Sequence, residues 1–103
     1  MLSKNYFFHY RAGTSPVSIC FRIDDIHGIV VWDAAFCSSK DFFSKSFGRK
    51  VAESRLDKSI GKSTYNYFSY PAATNIRDIR WKIVELLKHH PNCPESFRAS
   101  PAV

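Results

Sequence analysis

Apolar and polar positions alternate early in the chain. Val17, Ile19, Phe21 and Ile23 are separated by Ser18, Cys20 and Arg22, the period of two that a strand imposes when its faces differ. Asn5 to Tyr10 is short and aromatic, and Gly28 to Phe36 is rich in β-branched and aromatic residues, so three strands are predicted. Ala12 to Pro16 and Asp24-Asp25-Ile26-His27-Gly28 carry the glycine, proline and carboxylates that turns use, which makes the arrangement an antiparallel meander. In the third strand Val30, Trp32, Ala34 and Phe36 share one parity and Asp33 falls on the other. That pattern predicts one covered face and one wetter face.

The period then lengthens. Ser38-Ser39-Lys40-Asp41 has the form of a capping box, and a helix is expected from about Lys40, with Phe43, Phe47, Val51, Ala52 and Leu56 forming a stripe against the covered sheet face. Gly48 lies inside this helix at a cost of about 1 kcal/mol relative to alanine, which close packing would explain. Tyr65 to Tyr70, ended by Pro71, is read as a fourth strand or an extended edge. A second helix is expected from a Thr74 or Asn75 cap to His90, with Ile76, Ile79, Ile83, Leu86 and Leu87 at spacings of three and four and Pro91 stopping it. The fold class is therefore α+β: a meander of three to four strands packed against one helix, with a second C-terminal helix. Residues 1–90 are expected as a single domain and 91–103, with three prolines, as a flexible tail.

Charge changes the picture in one place. The 103 residues carry a formal charge of +6, and residues 37–62 hold seven Lys and Arg against three Asp and Glu, a local excess of +4. This segment is the first place to look for an anionic partner, although a solvated helix face would have the same composition. Lys45, Arg49, Lys50 and Lys58 lie off the apolar stripe. Arg49, Lys50 and Arg55 with Lys62, Tyr65, Tyr67 and Tyr70 make a set of cations beside aromatics, suited to phosphate and a stacked base. Lys45, Arg49, Lys50, Arg55, Lys62, Tyr65 and Tyr67 are the candidate ligand-binding residues. The alternative is that the tyrosines belong to the sheet core with hydroxyls at its rim.

Other groupings read as structural. Gly61-Lys62-Ser63-Thr64 resembles the end of a phosphate loop, but Leu56 stands where that motif needs glycine, and a helix precedes it in place of a strand. His89, His90 and Cys93 lack a second cysteine pair at zinc spacing, and the histidines are expected to complement a helix C-terminus. Asp24, Asp25 and His27 are expected to build a turn, and Cys37 to be a buried strand-end thiol. Three cysteines without a close pair predict thiols and no disulfide framework. No membrane span or signal-peptide core is legible, so the expectation is a cytoplasmic protein without metal or cofactor.

The segment Cys37-Ser38-Ser39-Lys40-Asp41-Phe42-Phe43, then Gly48-Arg49-Lys50-Val51-Ala52, then Arg55-Leu56, resembles a strand-to-helix segment of small bacteriophage and prophage proteins. There the pattern is Cys-Ser-Pro-x-Asp-x-Phe, Gly-Arg-x-Ile-Ala and Arg-Leu or Arg-Ala, with Ser39 here in the place of proline and Val51 in that of isoleucine. The resemblance implies a mobile-element accessory protein and carries no catalytic residue. The leading expectation is a non-catalytic inhibitor of a host defence complex, for instance an anti-CRISPR protein. Direct binding of nucleic acid or a nucleotide signal is the alternative, and a small hydrolase the third.

Overall fold

The computed structural model describes residues 2–12, 15–37, 44–71 and 74–98. Strands β1 (Tyr6–Ala12), β2 (Ser15–Asp24) and β3 (Ile29–Phe36) are followed by helix α1 (Lys45–Gly61), strand β4 (Asn66–Ser69), helix α2 (Ile76–Leu87) and the short helix α3 (Glu95–Arg98). The strands form one antiparallel sheet in the order β1-β2-β3-β4. The period-two reading of β2 is realised in the register: Val17, Ile19 and Phe21 lie on one face with Phe8, Val30, Trp32 and Ala34, while Cys20 lies on the other with Val31 and Ala35.

Both faces are covered, which corrects the expectation of a wetter one. The Trp32 face packs on α2 and α3 through Ile79, Ile83, Val84, Leu87 and Phe97. The helix expected on that face, α1, lies on the opposite one, that of Asp33, with Ala52 and Leu56 against Cys20, Val31 and Ala35. Side-chain size accounts for the division. The bulky stripe of α2 suits the aromatic face of the sheet, whereas α1 buries the small residues Gly48 and Ala52 together with Leu56, which lets its backbone approach the short side chains of the second face. Phe47, expected in the stripe, is 67% exposed, because it projects from the side of α1 away from Ala52 and Leu56.

Element ends follow capping chemistry. The expected Ser38–Asp41 cap and Phe43 lie outside the described residues; within them, α1 begins at Lys45, where the Ser44 hydroxyl accepts from the Phe47 N–H. The Asn75 side chain accepts from the Asp78 N–H to start α2, as anticipated. That helix ends at Leu87, three residues before the expected His90. The segment after Pro91, read as a loose tail, is packed as far as Arg98: Phe97 is 0% exposed, its ring meets Tyr10 and Phe36, and the Ser96 and Ser15 hydroxyls are 2.7 Å apart.

Candidate functional site

Strand β4 pairs with β3 only from Ile29 to Trp32, the last register pair being Trp32↔Asn66. Beyond it the outer edge of β3 is satisfied by side chains. The Ala34 N–H donates to Asp33 Oδ1 at 2.8 Å, the Ala34 carbonyl accepts from Arg55 Nη1 at 3.0 Å, and the Trp32 carbonyl accepts from Asn66 Nδ2 at 3.4 Å. Side chains from three elements thus take up bonds that a longer fourth strand would supply.

His90 closes this edge from the other face. Its ring lies 5.7 Å from that of Trp32 and 5.4 Å from that of Phe36, and Nε2 is 2.9 Å from Asp33 Oδ1, with Asp33 8% and His90 5% exposed. The Asn92 N–H donates to Nδ1 at 3.1 Å, so the ring is the neutral tautomer that donates from Nε2–H to the carboxylate. An acid–imidazole pair can orient a general base, but here the basic lone pair is occupied by the backbone. The pair anchors residues 90–92 instead. His90 was read as complementing a helix C-terminus; the structure replaces that role with a buried bond. Only the lone carboxylate of Asp33 within an otherwise apolar strand hinted at it.

The candidate binding residues divide between two surfaces. At about 100° per residue, Arg49, Glu53 and Asp57 fall on the β1 side of α1. Arg49 and Lys50 line a groove of about 650 Å³ with Lys4, Tyr6 and Phe7, and Asp57 pairs with Arg22 of β2. Arg55 and Lys62 fall on the other flank with Lys58, in a cleft of about 310 Å³ whose floor holds Asp33 and His90. Both acids of the helix interior, Glu53 and Asp57, are thus on the first flank, and the second carries cations alone. Lys45 is exposed at the start of α1. His9, 2.9 Å from the Ser18 hydroxyl, has its pKa lowered by burial first and then by the charges of Lys45 and Arg49, so the positive field reaches the edge strand.

The tyrosines separate as well. Tyr65 is half-buried against the α1 core, as the core alternative expected, whereas Tyr67 is 62% exposed and meets Tyr65 edge to face at 5.8 Å. Sequence reasoning missed Phe47 as a surface group and Lys58 as a cleft residue. A stripe counted by helical spacing cannot tell which of its flanks meets the sheet. Of the remaining groupings, Cys37, expected as a buried thiol, is only partly buried, because it lies just past the end of β3, and the Asp24 turn forms as read. Asp24 accepts from the His27 backbone N–H at 3.1 Å and from its imidazole at 2.7 Å, which builds the β2–β3 turn. Cys20, Cys37 and Cys93 are all thiols. Among the described residues no group of three His, Cys, Asp or Glu is placed to hold a metal ion, and no helix is long and apolar enough to cross a membrane.

Comparison with protein-family models, with characterised proteins and with solved structures finds no match to this chain. Within residues 37–56, Gly48, Ala52 and Leu56 form the packing side of α1, while Arg49 is exposed and Arg55 half-buried. The described apolar members of this segment pack or flank α1, and Arg49, Lys50 and Arg55 are what it places at the two surface sites.

Proposed function

We propose that the protein is a non-catalytic binding module for single-stranded nucleic acid, acting through the outer surface of α1. The observation that carries this reading is the interleaving of exposed cations with exposed aromatic rings. Phe47 and Lys50 are three residues apart and hence neighbours on the helix surface, Arg49 and Lys50 share a groove with Phe7, and Phe47 and Tyr67 stand open. Cations that follow a phosphate backbone and rings that stack on bases are the two requirements of sequence-tolerant single-strand binding. A net charge of +6 also bears on the inhibitor expectation. A basic surface is repelled by the like-charged groove with which a defence complex holds nucleic acid. In the phage context that the resemblance implies, the protein would act by withholding the nucleic acid, and not by occupying that groove.

Replacing Arg49 and Lys50 together by Glu tests the reading, since both are exposed and neither is part of the packing side of α1. Arg55 is left out because it bonds the Ala34 carbonyl. Binding of random single-stranded oligonucleotides should weaken for all sequences, and the slope of affinity against salt should shrink by roughly 0.7 for each phosphate contact removed. A folded variant that binds with unchanged salt dependence, or a parent protein that binds no oligonucleotide, overturns the reading.

A further inference from the structure

We propose that the cleft at the start of β4 is a binding site for a phosphate monoester, as carried by a mononucleotide or by the 5′-phosphorylated end of an oligonucleotide. This rests on the nucleic-acid reading above and adds to it a site for the chain end. The cleft, about 310 Å³, is at the small end of ligand pockets, which span roughly 300–1,000 Å³. Arg55, Lys58 and Lys62 contribute three positive charges to its lining, and Asn66 and Asn92 lie beside them. The one acid in the lining, Asp33, already accepts from His90 and from the Ala34 N–H, so its carboxylate is held by donors at the floor and the rim is left cationic.

The site is also rigid where it needs to be. One guanidinium nitrogen of Arg55 is fixed on the Ala34 carbonyl, which orients its remaining N–H groups. Asn92 is held by its backbone bond to His90, and Asn66 by the Trp32 carbonyl. Lys58 and Lys62 are exposed, and neither acid of α1, Glu53 or Asp57, lies on their flank of the helix. A guanidinium with fixed direction and two exposed ammonium groups is a combination that favours a terminal phosphate, which carries two charges, over an internal diester, which carries one. The competing role for Lys58 and Lys62 is to offset the negative end of α1, at whose last turn they sit.

Titration with adenosine monophosphate and adenosine, and with 5′-phosphorylated and 5′-hydroxyl oligonucleotides of one sequence, tests the proposal. The monophosphate should bind and adenosine should not, and the 5′-phosphate should tighten oligonucleotide binding by roughly tenfold. Lys58→Ala with Lys62→Ala should remove that advantage, weakening the 5′-phosphorylated oligonucleotide about tenfold more than the 5′-hydroxyl one. Arg49→Ala should instead weaken both alike. Equal binding of the two oligonucleotides, or a double variant that weakens both alike, overturns the cleft while sparing the nucleic-acid reading and leaves the lysines as a helix-end device. Binding of the monophosphate without binding of either oligonucleotide overturns the nucleic-acid reading and retains the cleft.

Discussion

Gly28 has φ = +64°, and its carbonyl accepts from the Tyr70 N–H at 3.0 Å, so the glycine that turns β2 into β3 also seats the end of β4. A side chain there would leave the space nearly untouched, its Cβ 3.8 Å from the Tyr70 carbonyl; the cost lies in the left-handed backbone. Gly28→Ala should lose about 1–2 kcal/mol in urea unfolding. In the same turn, the hydrogen bond from the His27 imidazole holds the Asp24 carboxyl below its ordinary pKa. A depressed carboxyl contributes stability above its unfolded pKa, near 4, and loses it as pH falls through the folded value. The stability gap between the protein and Asp24→Asn should therefore be full at pH 6 and shrink with acid below about pH 4. Burial pushes the Cys20 thiol up to about 12, so thiol titration at pH 8 should leave Cys20 unreactive in the native protein. In denaturant all three cysteines should react.

The α2 helix was legible from its spacing because the residues it buries are all large and apolar. Ile79, Ile83 and Leu87 are buried in the sheet face, and Ile83→Ala should cost about 2–4 kcal/mol, measured by denaturant unfolding. The α1 helix was legible as a helix and illegible in its orientation. Its buried side consists of Gly48, Ala52 and Leu56, which a hydrophobic pattern underweights, whereas the conspicuous Phe47 points to solvent. Strand boundaries and pairing order could be read from alternation and turn residues, since the side-chain period of a strand allows little choice once one face is buried. The edge of β3 could not, because Asp33, Arg55, Asn66 and His90 come from four separate segments and only the tertiary fold brings them together. The candidate cations suffered the same limit: Arg49 and Arg55 are close in sequence yet serve opposite sides of one helix.

At the scale of the whole molecule the sheet is a partition between two cores, one closed by α1 and one by the chain after residue 75. His90 and Asp33 join the two at the β3 edge. His90 is one of two donors to the buried Asp33 carboxylate, the Ala34 N–H being the other, so the costs of His90→Ala and Asp33→Ala should be non-additive by about 1–3 kcal/mol, in a double-mutant cycle of unfolding free energies. Phe97→Ala should cost about 3–5 kcal/mol, where a loose tail would show no change. The contact of Ser96 with Ser15 and of Phe97 with Tyr10 brings the last described helix onto the first hairpin. During translation the meander and α1 emerge from the ribosome first, with the Trp32 face of the sheet still bare. That apolar surface stays uncovered until α2 and α3 have been made, so a ribosome stalled within this stretch would display a sticky half-protein to chaperones and proteases.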